Sequence, residues 1–74
     1  MKTAIIIHKM CSACNELKKA KNINEFEILD IATDDKAVEL VLKYNIDAVP
    51  VAITPRGQKC NLFLTEDNKI KLKC

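Results

Sequence analysis

The chain has little of what loop-rich or fibrous proteins need, with one glycine and two prolines in 74 residues against 49% hydrophobic and 30% charged side chains. That balance excludes a disordered or collagen-like polymer and predicts a chain that folds. No charge of one sign dominates, because twelve basic and ten acidic side chains are interspersed and leave a net charge of +2. Tryptophan is absent, and the aromatics Phe26, Tyr44 and Phe63 lie far apart and interleave with no basic run. A nucleic-acid partner is therefore not expected. The strongly apolar stretch near the N-terminus, residues 4–7, is too short for a signal-peptide core or a membrane span, and no small-residue cleavage site follows it. The expectation is a cytoplasmic protein with no membrane partner. No internal repeat, linker or low-complexity segment is visible, so residues 1–74 read as one small domain, which buries only roughly 60% of its unfolded surface.

What is present alternates between strand and helix patterns. Residues 3–7 are a continuous β-branched apolar run, as a central parallel strand covered on both faces requires. Residues 12–21 set Ala13, Leu17 and Ala20 at helical spacing, with Glu16, Lys18, Lys19 and Lys21 for the wet side. Residues 26–31 form a second strand whose charges, Glu27 and Asp30, suit a place nearer the sheet edge. Thr33, Asp34 and Asp35 are N-cap and first-turn residues for a second helix ending near Asn45, with Ala37, Val41 and Tyr44, joined by Val38 and Leu42, as its apolar stripe. Residues 51–54 read as a buried strand, Pro55-Arg56-Gly57 as a tight turn, and residues 59–64 as a strand with Cys60, Leu62 and Leu64 inward. The tail carries two signals: Thr65, Glu66 and Asp67 look like a helix start, while Ile70, Leu72 and Cys74 alternate with lysines like a strand. A short C-terminal helix is the expectation.

The cysteines carry the chemistry. In a reducing compartment, paired cysteines point to catalysis or metal binding more than to structural bridges. Cys11-Ser12-Ala13-Cys14 follows a buried strand and opens a helix, the setting in which C-x-x-C reads as redox-active. Unpaired N–H groups and the helix dipole favour the Cys11 thiolate there, which makes it the nucleophile. Cys14, one helical turn on, is placed to resolve a mixed disulfide. Two packed core cysteines are the bland alternative.

Ala48-Val49-Pro50-Val51 puts a proline at the start of an apolar strand, where it cannot donate to a ladder. By itself that is a turn or edge position. Together with the C-x-x-C one strand-helix-strand-helix unit upstream, it resembles the thioredoxin and glutaredoxin superfamily over about residues 3–64, in particular its small glutaredoxin-like and short archaeal-type members. The resemblance implies a minimal thioredoxin-like α/β fold, a four-stranded mixed sheet in the order βαβαββ with a short C-terminal helix. It also implies a cis Val49–Pro50 bond facing the cysteines, with the Val49 backbone open to an extended substrate chain. Met10-Cys11-Ser12-Ala13-Cys14 lacks the Trp, Gly and Pro of the thioredoxin motif, and no acid upstream matches that branch's buried aspartate. His8 stands where glutaredoxins carry a lysine, and residues 60–63 lack their Gly-Gly pair. Glutathione is accordingly expected to bind weakly at best, and a thioredoxin-reductase-type donor is preferred.

His8 is a candidate to stabilise the Cys11 thiolate or shuttle a proton, with a surface residue at a strand end as its alternative. Lys9 is a candidate nearby positive charge. Met10 is a candidate apolar contact for substrate, with packing as the alternative. Cys60 reads as a small buried hydrophobe and Cys74 as an exposed terminal thiol; a hairpin with a three-residue turn sets them opposite each other, but the tail register leaves their pairing open.

The function expected is dithiol–disulfide exchange on disulfide-containing protein substrates by a monomer without cofactor or metal. The rival is a soft-metal carrier using the same C-x-x-C, since metal chaperones place a Met near such a pair. Those domains run strand, helix, strand, strand, helix, strand, whereas residues 33–44 here insert a helix after the second strand. A four-cysteine zinc site lacks the usual second short-spaced pair.

Overall fold

Ile5, Ile6 and Ile7 are consecutive and all fully buried. Successive side chains of a strand point to opposite faces, so three buried neighbours demand a cover on both sides of the sheet. The computed structural model, which describes residues 2–74, provides that cover. Its elements run β1 (Thr3–Ile7), α1 (Ser12–Leu17), a 3-10 turn (Ile23–Glu25), β2 (Phe26–Asp30), α2 (Asp35–Lys43), β3 (Val51–Ile53), β4 (Lys59–Leu64) and β5 (Ile70–Lys73). One mixed sheet has the order β2-β1-β3-β4-β5, with β1 and β2 parallel and the other pairs antiparallel. Ile5 and Ile7 pack with Cys14, Leu17, Ala52, Cys60 and Ile70 on one face; Ala4 and Ile6 pack with Leu29, Ala37, Val51 and Ile53 on the other. Among the described residues no helix is long and apolar enough to cross a membrane.

The α/β class is as expected, but the sheet has five strands rather than four, and the C-terminal helix is instead β5. The Thr65 side chain does the same chemistry in a different place. It hydrogen-bonds Asp67 and accepts the Lys69 N–H, while Asn68 N–H donates to Thr65 O and Asn68 adopts φ 62°. Side-chain capping of this kind serves a hairpin turn as well as a helix start. Ile70 then aligns with Leu64 and Leu72 with Leu62, so the alternating apolar residues of both strands share a face.

Three smaller expectations also change. The first helix ends at Leu17 rather than Lys21, because tertiary bonds claim the next turn: Asn68 Nδ2 donates to Lys19 O and Lys21 N–H donates to Asn68 O. Asp34 sits at the N-cap of α2, yet its carboxylate accepts the Asp30 N–H at 2.8 Å instead of capping the helix. In α2 the half-buried stripe is Leu40, Val41 and Tyr44 beside buried Ala37, and Leu42 is 74% exposed.

The turn between β3 and β4 needs its glycine. Gly57 has φ +87°, and a Cβ there would meet the Tyr44 hydroxyl at 2.9 Å. Tyr44 can shift its ring tip, so the left-handed backbone is the larger penalty. Gly57→Ala should destabilise the chain by about 1–2 kcal/mol, read as a fall of roughly 4–8 °C in Tm per kcal/mol. An unchanged Tm would show that the turn relaxes without cost.

Candidate active site

The site begins where β1 ends. Cys11 N–H donates to His8 O at 3.0 Å, and Met10 N–H donates to His8 Nδ1 at 3.0 Å, which folds residues 8–11 into a tight corner. Cys11 is then the N-cap of α1, in extended conformation at φ −93° and ψ 115°. Its sulfur takes the capping role that Ser or Asp usually fills, accepting the Cys14 N–H at 3.2 Å. The Cys11 sulfur also lies 3.9 Å from Val49 O, so the loop before β3 closes over the same atom. Val49 touches the hydrophobic clusters on both faces of the sheet, and the Val49–Pro50 bond is cis.

The two thiols are unlike. Both are free, Cys11 half-buried and Cys14 fully buried. The Cys14 side chain donates a hydrogen bond that holds the Cys11 pKa below its ordinary value; partial desolvation opposes this, and the backbone N–H groups of Cys14 and Ala13 assist it. Burial pushes the Cys14 thiol up to about 11, helped by its hydrogen bond to Cys11 and by the negative charge there. The pair can therefore carry a nucleophilic thiolate on the outer sulfur and a proton on the inner one.

Comparison with protein-family models, with curated proteins and with solved structures found no match. The reading of the site rests on its own geometry.

The fold brings Cys11, Cys14, Val49 and Pro50 together. Met10 is beside them and 80% exposed, free of any packing role. Lys9 is exposed on the same corner. His8 is half-buried, and both its ring Nδ1 and its carbonyl are engaged as acceptors that shape the corner. Among the described residues no cluster of three or more His, Cys, Asp or Glu is placed to share an ion.

Two features were not settled by the sequence: a groove it did not show, and a cysteine pairing it left open. One is a mostly apolar groove of about 270 Å³ beside the pair, lined by Ala13, Leu17, Pro50, Leu62, Phe63 and Leu64, with Glu16 as its charged side chain. The helical spacing of Ala13 and Leu17 and the inward alternation of Leu62 and Leu64 were visible, but that their faces border Pro50 is a tertiary fact. The other is the Cys60–Cys74 disulfide. Cys60 is a buried hydrophobe as expected, yet bonded, and Cys74 carries no free thiol. The signal was the Ile70, Leu72, Cys74 alternation, which fits a strand.

The unequal thiols have a direct readout. Alkylation of Cys11 should rise with a midpoint below 9 while Cys14 stays protected until about pH 11. Peptide mapping after timed iodoacetamide treatment would show it, and faster labelling of Cys14 below pH 9 would reverse the roles.

Proposed function

We propose that the chain is a cytoplasmic thiol–disulfide oxidoreductase of the thioredoxin-like kind, a monomer acting on disulfide-containing proteins. The carrying observation is the Cys11 sulfur at the N-cap of α1, bonded by the Cys14 N–H and facing Val49 O. The strand and helix order with cis Pro50 beside the pair agrees with the same reading.

The exchange proceeds in two displacements. The Cys11 thiolate attacks one sulfur of a substrate disulfide; a Cys11–substrate bond forms, and the other substrate sulfur leaves as a thiolate that takes up a proton. Cys14 then loses its proton and attacks Cys11 Sγ, closing Cys11–Cys14 and releasing the second substrate thiolate. The first step prepares the second. Once Cys11 is in a mixed disulfide with the substrate sulfur, its negative charge and its hydrogen bond to the Cys14 thiol are gone, and two of the causes that raise the Cys14 pKa go with them. A dithiol donor of the thioredoxin-reductase type returns the pair to the reduced state, in preference to glutathione.

Substrate would lie across Met10 and the Val49–Pro50 loop, with apolar side chains beside a cystine entering the groove of Ala13, Leu17, Leu62 and Leu64. The metal-carrier alternative would have Cys11 and Cys14 as its only thiolates, since Cys60 and Cys74 are joined. Its strand order also differs, because α2 separates β2 from β3.

Insulin reduction driven by dithiothreitol tests the proposal. Cys11→Ser should lose at least about 100-fold in rate, the scale on which enzymes lose rate when a covalent nucleophile is removed. Cys14→Ser should instead accumulate a mixed disulfide through Cys11, visible by mass spectrometry. An undiminished rate in Cys11→Ser, or no mixed disulfide through Cys11 in Cys14→Ser, would sink the assignment.

A further inference from the structure

The last strand is held at both ends by interactions that the Cys11–Cys14 chemistry does not use. At its start, Asn22 grips the outward backbone of Ile70, its Oδ1 accepting the Ile70 N–H at 2.8 Å and its Nδ2 donating to Ile70 O at 3.1 Å. Asn68 bonds the chain after α1 on both sides, at 2.9 Å to Lys19 O and 2.8 Å from Lys21 N–H. At its end, Cys74 is disulfide-bonded to Cys60 across β4, the Cα atoms 4.3 Å apart. The register Asn61↔Lys73 continues to this pair, and such a separation is that of a non-hydrogen-bonded antiparallel position. Between the two anchors β5 pairs with β4 alone.

The two sulfurs sit in opposite environments. Cys60 is 2% exposed among Ile5, Ala52 and Ile70, whereas Cys74 is exposed and lines an open groove of about 310 Å³ whose charged residues are Asp47, Lys59 and Lys73. A thiolate from solvent can therefore reach only Cys74.

We propose that Cys60–Cys74 is a second redox site, separate from the Cys11–Cys14 pair: a clasp that monothiols leave closed, that a dithiol opens by attack on Cys74 Sγ, and whose opening loosens the C-terminal end of β5 from β4 while Asn22 and Asn68 hold its start. In the first step the attacking thiolate bonds to Cys74 Sγ and the disulfide breaks, sending the electron pair and then a proton to Cys60. That leaving group departs into an apolar cluster, where a charge is disfavoured. Because Asn22 and Asn68 keep β5 in register, Cys60 remains beside the mixed disulfide and expels a monothiol by the reverse step. A dithiol escapes this return. Its second thiolate attacks its own bound sulfur, closing the reductant's disulfide and freeing Cys74, which takes a proton. The net change is two electrons and two protons onto the clasp. The inference is independent of the reading of Cys11.

Equilibration of the full chain with glutathione or with dithiothreitol, followed by acid quench, N-ethylmaleimide labelling of the unfolded chain and peptide mapping, tests it. Under glutathione only Cys11 and Cys14 should take label, and no glutathione adduct should build up on Cys74. Rising dithiothreitol should then label Cys60 and Cys74 together, with amide exchange at Lys71 and Lys73 accelerating on the order of 100-fold, as expected for loss of a 15-residue crosslink, while Ile5 and Ile6 stay protected. Cys74→Ser should show the same fast exchange without reductant. Asn22→Ala, which keeps both cysteines, should lower the opening concentration several-fold. Labelling of Cys60 and Cys74 by glutathione, or opening only when Ile5 and Ile6 also exchange, would overturn the proposal. So would an unmoved Asn22→Ala midpoint. A chain inactive on insulin that passes these tests would lose the function proposed above and keep the clasp.

Discussion

Burial of β1 on both faces is the constraint from which the remaining structure follows. Ile5, Ile6 and Ile7 have no wet side, so α1 and α2 must lie on opposite faces and β1 must have a neighbour on each edge. Each such side chain is worth about 1.5–3 kcal/mol relative to exposure. A strand sandwiched in this way ends abruptly where the cover begins, and the His8–Cys11 corner is that end. The position of the Cys11 sulfur is thus a consequence of where the isoleucines stop.

At that corner one geometry serves two purposes. The N-cap of α1 leaves its first N–H groups without helical partners, and the Cys11 sulfur satisfies that of Cys14. The Cys14 side chain, assisted by that N–H, lowers the charge cost on Cys11, while burial of the Cys14 side chain raises its own. Division of labour between the thiols therefore needs no additional residue. His8, which in sequence invites an acid–base role, is occupied as a structural acceptor in the corner.

The far side of the sheet meets a different problem. A short last strand beside β4 would present an open edge and a weakly held end. Asn22 covers part of that edge by acting as a surrogate partner for Ile70, and the bridge to Cys60 ties the other end. These ties also keep Leu62 and Leu64 in place beside α1, where they border the groove that reaches Pro50. The stability of the edge and the shape of the surface next to the site are linked through β4.

Local patterns were sufficient for the first four strands, for both helices and for the C-x-x-C at a helix start, because each depends on spacing within a few residues. The cis Val49–Pro50 bond was legible only through the family resemblance, because a proline at the start of an apolar strand reads by itself as a turn or edge position. Local patterns failed where one chemistry fits two structures. Thr65 with Asp67 caps a helix or closes a hairpin, and only the pairing of Ile70 with Leu64 selects the hairpin. The early end of α1 depends on Asn68, 49 residues from the Lys19 carbonyl it binds. The Cys60–Cys74 bond needs a register that residues 65–69 alone do not set. Sequence by itself determined the first four strands, the two helices and the C-x-x-C at a helix start, because these are properties of contiguous residues; the fifth strand, the second cysteine pair and the groove were decided by tertiary structure, because they depend on which distant backbone groups meet.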